Sequence, residues 1–263
     1  MSNSNTVKSV VAAVHVLALG FVLAGCVTTV EGGFTEKASP EKALEQRVAL
    51  ARQYIGEGNW EFAKRNLELA SEIDPRSAEV HEAFGLMYQR TGELELAQDH
   101  FARSISLDRN CSRCRNNYAA FLYSQEKYRE AEQQLENVVK DTLYTQRPQA
   151  FVNLGLCRLQ LEDNAGADEA FSRALSMDRV NRIALLELAH LRYDAGDLAS
   201  ATRHYNSYRS LVRQQSARGL WLGIRIARDA GERDAEASYA LSLSNRFPES
   251  AEYQAYRRTV QGE

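Results

Sequence analysis

The chain has 263 residues, of which 44% are hydrophobic and 25% charged, and its formal net charge is −3 at pH 7. This length is enough for one large domain or two ordinary ones. The slightly negative net charge does not indicate the basic surface that nucleic-acid binding requires. Only four prolines are present, and because proline disrupts helix interiors, their scarcity is compatible with a mostly helical chain.

The first 25 residues have the order of a secretory signal. Lys8 is their single charged residue, and an almost continuous apolar run extends from Val10 to Val22. The run is shorter than the roughly 20 apolar residues that span a bilayer, and small residues follow it. We therefore interpret residues 1–25 as a signal peptide, with an uncleaved anchor or a buried helix as the alternative.

The motif Leu23-Ala24-Gly25-Cys26 ends this run and resembles the lipobox of bacterial lipoproteins. The resemblance implies that Cys26 is acylated and becomes the N-terminal residue after cleavage. Three acyl chains exceed the two signals that stable anchoring requires. Val27 stands where an aspartate commonly favours inner-membrane retention, so the resemblance implies delivery by the lipoprotein sorting machinery to the periplasmic face of the outer membrane.

Residues 26–43 are predicted to be a flexible tether. The segment from Val27 to Pro40 is polar, contains glycine and shows no hydrophobic period. Such a composition is typical of a linker that forms no packed element.

Six repeats of about 34 residues follow. Alanine recurs with spacings near 34, a small residue stands twelve positions before each alanine, and a bulky residue stands four positions after it. The alanines are Ala63, Ala97, Ala131, Ala167, Ala201 and Ala235. The repeats span residues 44–77, 78–111, 112–145, 148–181, 182–215 and 216–249.

This pattern resembles the tetratricopeptide repeat (TPR), and the stretch from Phe84 to Asp108 carries it almost completely. The resemblance implies an all-α, right-handed superhelical array of about six helical hairpins, in which small residues let the two helices of a hairpin approach. Residues 250–263 are predicted to form a capping helix and tail.

The junction between the third and fourth repeats is two residues longer than the period. It contains the sequence DTLYTQRPQ, from Asp141 to Gln149. A longer helix and a bulged loop are both compatible with it, and either could divide the array into two halves.

By resemblance to the TPR family, the first helix of each unit lines a concave groove that binds protein partners. Further residues of these helices are also candidates for facing the groove, among them Val48, Val152, Leu220 and Ile224. Packing in the core is the alternative to ligand contact for these residues. The principal candidates are Arg52, Ile55, Leu86, Gln89, Asn116, Tyr123, Leu156, His190 and Tyr193. Val48 and Arg52 stand where carboxylate-clamp repeats have lysine and asparagine, so an apolar strand or helix is the expected ligand.

Few residues are candidates for catalysis or metal binding. Cys111 and Cys114 form a CxxC pair that either makes a disulfide or remains as free thiols, and a zinc site would need a second pair. Cys157 is expected to be a small buried hydrophobe. No nucleotide-binding, zinc-protease or nucleophile motif is present, so we expect no catalytic residue, metal or cofactor.

Two segments, Arg115–Val139 and Phe151–Leu175, resemble the third and fourth repeats of the type IV pilus biogenesis lipoproteins, also called pilotins. The resemblance implies that the groove of the early repeats binds the pilus secretin, which is the outer-membrane pore protein, and promotes its multimer assembly. A TPR lipoprotein for β-barrel assembly or cell-wall synthesis is the alternative, and an enzyme is a more remote one.

Overall fold

The structure, a computed structural model, describes residues 39–261, so the signal peptide, Cys26 and most of the predicted tether lie outside it. Within this range the chain forms thirteen α-helices and no strand, and none of these helices is long and apolar enough to cross a membrane. The helices are α1 (Pro40–Glu57), α2 (Trp60–Ile73), α3 (Ala78–Thr91), α4 (Leu94–Leu107), α5 (Ser112–Ser124), α6 (Tyr128–Val138), α7 (Arg147–Gln160), α8 (Asn164–Met177), α9 (Arg182–Asp194), α10 (Leu198–Leu211), α11 (Ala217–Asp229), α12 (Arg233–Arg246) and α13 (Ala251–Gln261).

Consecutive helices pair into six antiparallel hairpins, from α1–α2 to α11–α12, and each hairpin packs on the next. The predicted all-α superhelical array is therefore confirmed. The final helix, α13, packs on α11 and α12, where Tyr253 and Tyr256 cover the buried side chains Leu220 and Leu243. It lies within the residues predicted to form the capping helix.

Small residues set the close approach of the two helices in each hairpin. The repeat alanines from Ala63 to Ala201 have no exposed surface, whereas Ala235 is partly exposed because only α13 follows its helix. A Cβ atom placed on Gly155 would lie 2.7 Å from the buried ring of Phe171. Glycine at this position therefore makes room for the phenylalanine of its partner helix.

We predict that Gly155→Ala lowers the free energy of unfolding by about 1–3 kcal/mol, because Phe171 is fully enclosed and must shift. Gly56→Ala is the matched control, since a Cβ atom there meets nothing within 4 Å and alanine favours the helix. Urea denaturation of both variants measures the difference. A loss in Gly56→Ala as large as that in Gly155→Ala would contradict the packing argument.

The turn inside each hairpin needs one residue with a left-handed backbone. Gly92 has a φ of 92°, and the following amide, that of Glu93, donates to the carbonyl of Tyr88 at 3.0 Å. Glu126 and Glu162 hold the equivalent positions of the third and fourth hairpins with φ values of 59° and 61°. The turn geometry is thus kept even where the sequence lacks glycine.

The start of the array corrects the predicted tether boundary. Helix α1 begins at Pro40, so residues 40–43 are helical rather than part of the tether. Proline suits the first helical position because its missing N–H would have no intrahelical partner there. The polar composition of residues 40–43 concealed this because these residues lie on the exposed first turn.

The long junction between the third and fourth hairpins is a loop. Residues 139–146 form turns, in which the Nε atom of Arg147 donates to the carbonyl of Val139 at 2.8 Å, and Leu143 is 90% exposed. One hydrophobic cluster continues across the loop from Ala97 to Ala170. The array is therefore not divided at this junction.

Candidate functional site

The array curves toward the first helix of each hairpin, and we call these six the inner helices. Inner helix α1 packs against α3, α3 against α5, α5 against α7, and α9 against α11, whereas no consecutive pair of second helices packs comparably within residues 39–261. A stack whose units lie closer together on one side is concave on that side. The predicted groove residues therefore belong to the helices of the concave inner face.

Exposure separates the predicted groove residues into surface and core. The half-buried members are Arg52, Leu86, Gln89, Asn116, Tyr123, Leu156 and Tyr193, while Ile55 and His190 are each 8% exposed. Four members of the wider set lie in the core with exposures of 3% or less: Val48, Val152, Leu220 and Ile224. The two sixth-repeat members of this set, Leu220 and Ile224, are thus apolar because they pack in the core.

A buried carboxylate links the first three inner helices. Glu82 of α3 has no exposed surface, and its carboxylate accepts from Arg52 of α1 at 2.5 Å and from the side-chain amide of Asn117 in α5. Arg113 of α5 also approaches Glu82 and pairs with the exposed Glu79 at 2.7 Å. Arg52, predicted to face a ligand, therefore has a structural partner.

An apolar cavity of about 100 Å³ opens between α5 and α7. Tyr123, Leu156 and Asn153 form part of its wall together with Ala120 and Cys157. The Asn153 amide donates to the Asn116 carbonyl oxygen at 3.2 Å beside it. The structure thus brings three predicted groove residues together: Asn116, Tyr123 and Leu156.

A second charged contact joins α9 and α11. Both carboxylate oxygens of Glu187, which is 4% exposed, accept from Arg218, one of them at 2.7 Å. Arg225 of α11 donates to the Nδ1 atom of His190 at 3.2 Å and lies over the ring of Tyr193, 4.5 Å from its centroid. His190 and Tyr193 are thus held by the same arginine.

Burial, together with the smaller effects of the charges of Arg218 and Arg225, lowers the pKa of His190 to about 3. The folded chain therefore excludes a proton that the unfolded chain binds below about pH 6.5. The contribution of His190 to the free energy of unfolding is therefore complete above pH 6.5. It falls by about 1.4 kcal/mol for each pH unit between pH 6.5 and about 3.

We predict that the wild type loses about 2 kcal/mol more unfolding free energy than His190→Gln when the pH is lowered from 7 to 5. Glutamine retains an acceptor for Arg225 but does not titrate. Chemical denaturation of both proteins at the two pH values gives the difference. Parallel pH profiles would show that His190 takes up a proton in the folded state.

The exposed end of the array carries an apolar groove that was not predicted. Leu50 is 40% exposed, whereas the bulky residues at the same position of the later repeats, such as Phe84 and Leu188, are 8% exposed or less. Those residues are covered by the preceding hairpin, and within residues 39–261 no hairpin precedes the first. Leu50 therefore remains at the surface.

The groove at this end lies between α1 and α2 and has a volume of about 300 Å³. We call its apolar residues Leu50, Tyr54, Phe62 and Leu69 the end groove. The rings of Tyr54 and Phe62 are 5.4 Å apart, and Phe62 is 49% exposed. Arg47 and Arg65 also line the groove, so it combines apolar side chains with positive charge.

The cysteines have structural surroundings. Cys111 and Cys114 form a disulfide with their Cα atoms 5.2 Å apart, and the Cys111 sulfur accepts from the Cys114 amide at the start of α5. Cys157 is buried, and this burial raises its pKa to about 12, so its thiol stays protonated at neutral pH.

The remaining histidines of the described range also have packing partners. His81 and His100 contact each other through their Nδ1 atoms at 3.1 Å, and Arg103 donates to the Nε2 atom of His81. Burial lowers the pKa values of both histidines and of His204. Within residues 39–261, no group of three or more His, Cys, Asp and Glu side chains is arranged to hold a metal ion.

Known proteins share both the repeats and the array. The tetratricopeptide repeat family matches residues 78–111 and 148–181. The type IV pilus assembly protein PilF of Pseudomonas aeruginosa is 38% identical over 248 residues, which are 94% of this chain and 97% of PilF. This chain belongs to the PilF family of type IV pilus assembly proteins.

Solved structures agree with this PilF-family assignment. A structure of Pseudomonas aeruginosa PilF superposes with a TM-score of 0.80 and 37% identity, covering 84% of this chain and 99% of that one. A crystal structure of PilW, a widely conserved type IV pilus biogenesis factor, superposes with a TM-score of 0.69 and 25% identity, covering 82% and 98%.

Sequence reasoning missed the buried ion pairs and the end groove of this PilF-family chain. Glu187 stands within the apolar run Leu185-Leu186-Glu187-Leu188, and a carboxylate in such a run needs a buried partner. Leu50 occupies a repeat position that only a preceding hairpin covers. Both signals were present in the sequence, but each requires knowing which helices are neighbours.

Proposed function

We propose that this PilF-family chain is an outer-membrane lipoprotein that binds the type IV pilus secretin subunit and promotes its outer-membrane localisation and multimer assembly. Membership in a family of type IV pilus assembly proteins supports a role in pilus assembly. The lipobox-like motif ending at Cys26 supports a lipid anchor and use of the lipoprotein sorting machinery. The protein acts as a binding scaffold in this proposal.

The end groove is the observation that carries the binding proposal. A solenoid normally covers the apolar side of its terminal repeat with a polar cap. Here Leu50 and Phe62 are 40% and 49% exposed beside a groove large enough for several side chains. The arginines Arg47 and Arg65 favour a segment that carries acidic residues next to its apolar ones.

The inner face offers a second contact for the same segment. The cavity beside Tyr123 and Leu156 has room for one aliphatic side chain, and its wall is almost entirely apolar. Leu86 lies partly buried between the first and third hairpins and packs against the core clusters of both regions. We propose that the secretin segment begins at the end groove and extends toward this cavity.

The double variant Leu50→Ser/Phe62→Ser should bind the secretin subunit at least about tenfold more weakly. Each replacement removes apolar area from the groove, and 1.4 kcal/mol corresponds to a factor of ten. Surface plasmon resonance with the purified full-length proteins in detergent measures the dissociation constants. Because both side chains are substantially exposed, the variant should keep its fold and its helical circular dichroism.

The matched control is Leu143→Ser/Val180→Ser, which makes the same kind of change at two residues that are 90% and 62% exposed. It should bind the secretin like the wild type. Equal weakening in both double variants would remove the end groove from the proposal. Wild-type protein that does not bind any part of the secretin would contradict the proposed partner.

A further inference from the structure

A cavity of about 270 Å³ with both polar and apolar walls lies between the fourth and fifth hairpins. Contact between α7 and α9 is sparser than at the other four inner-helix junctions, and the cavity opens there. Its wall includes Leu159 of α7, Glu187, His190 and Asp194 of α9, and Arg218 of α11. Three of these residues belong to one helix, so their spacing is fixed by its backbone.

His190 contributes a hydrogen-bond donor without a partner. An arginine can only donate, so the Nδ1 atom that contacts Arg225 at 3.2 Å is the acceptor. The neutral ring must then carry its proton on Nε2, which is buried and has no hydrogen-bond partner among residues 39–261. Leaving a buried N–H unpaired costs about 1–3 kcal/mol, which a ligand acceptor can recover.

Four other polar side chains line the cavity, and that of Asn164 in α8 carries both donors and an acceptor. Arg218 and Glu187 satisfy each other through two hydrogen bonds. Asp194 stands four residues after His190, on the same side of α9, and its side chain is 63% exposed with Arg225 3.3 Å away. His190, which lines the cavity, thus carries an unpartnered donor, and Asp194 offers an accessible acceptor.

We propose that this cavity binds an amide group of the partner segment, with the amide oxygen accepting from His190 Nε2 and the amide N–H donating to Asp194. A carboxylate ligand would lie between two negative side chains, Glu187 and Asp194. An ammonium ligand would meet the donors of His190 and Arg218. Of these three groups, only an amide supplies one acceptor and one donor without net charge.

Small amides test this site with the full chain and without any secretin. N-methylacetamide represents the peptide backbone, acetamide represents an Asn or Gln side chain, and acetate represents a carboxylate. The resonance of His190 Nε2 is followed in protein that carries ¹⁵N-labelled histidine. In the same spectrum, His81 is an internal control, because its Nε2 atom already accepts from Arg103 at 3.1 Å.

We expect at least one amide to shift the His190 Nε2 resonance saturably while His81 is unaffected and acetate has no effect. The amide that saturates at lower concentration identifies the backbone or the side chain as the source. Asp194→Ala should weaken the amide response and leave the arginine contact to His190. Absence of a saturable response to both amides, or an equal response to acetate, would overturn the proposal.

The inference rests on the proposed function only in assuming that a protein segment reaches the inner face. Failure of secretin binding together with a saturable amide response would leave the cavity as a peptide site for another partner. Secretin binding without the amide response would exclude this cavity as a binding site and leave the end groove as the proposed one.

Discussion

Glu82→Ala should lower the free energy of unfolding by about 3–5 kcal/mol. Glu82 has no exposed surface and accepts hydrogen bonds from Arg52 and Asn117, while Arg113 lies 4.0 Å away. Removing the carboxylate leaves these partly buried donors without the buried acceptor that joins them. The free energy would be measured by urea denaturation followed by circular dichroism.

Glu79→Ala is the matched control because Glu79 lies one turn earlier on the same helix and pairs with the same two arginines, Arg52 and Arg113. Its side chain is 49% exposed, so solvent screens the pairs and the expected loss is below about 1 kcal/mol. Similar losses in the two variants would mean that Glu82 is not the buried link between the first three inner helices.

Cys26→Ala should abolish acylation and remove the protein from the outer-membrane fraction. A chain that lacks the acceptor thiol has no lipid anchor, and without acyl chains the membrane affinity they supply is lost. Metabolic labelling with a fatty-acid analogue and separation of the two membranes on a density gradient measure both effects. Unchanged labelling and fractionation would contradict the lipobox interpretation.

Two variants separate acylation from sorting. Val27→Asp should still be labelled but should move to the inner-membrane fraction, since an aspartate after the acylated cysteine commonly favours retention there. Cys157→Ala removes a buried free thiol and should change neither labelling nor fractionation. Labelling that depends on Cys157 rather than Cys26 would show that the lipobox interpretation names the wrong cysteine.

The hairpins could be predicted because their determinants are local and repeated. An alanine such as Ala97 and a glycine such as Gly85 recur in register, and the structure buries the alanine and places Phe101 where a side chain on the glycine would stand. Periodicity of this kind predicts which residues contact each other within one hairpin. It leaves open how far neighbouring inner helices separate.

The site was predicted less completely because it depends on contacts between repeats. Leu156 and Tyr123 were placed on the inner face from their repeat positions, and they line one cavity. The same rule placed Ile224 in the groove, although the hairpin packing buries it completely. The end groove exists because Leu50 belongs to the first hairpin of the described range. A pattern common to all six repeats does not distinguish this hairpin from the others.

The start of the array illustrates the same limit at a boundary. Residues 40–43 have a linker-like composition, yet Pro40 begins a helix because proline fits its first turn. Glu126 and Glu162 likewise adopt the left-handed turn that glycine provides elsewhere. At Glu126 and Glu162 the surrounding hairpin overrides the preference of the individual residue.

Secretin multimers in cells that lack this protein test most directly whether it promotes secretin assembly. Inner and outer membranes are separated, and the multimer is followed on gels without heating. We expect outer-membrane multimers to disappear and to return with the wild-type gene and with Leu143→Ser/Val180→Ser, but not with Leu50→Ser/Phe62→Ser. Multimers that are unaffected by loss of the protein would contradict the proposed function and direct the search to β-barrel assembly or cell-wall partners.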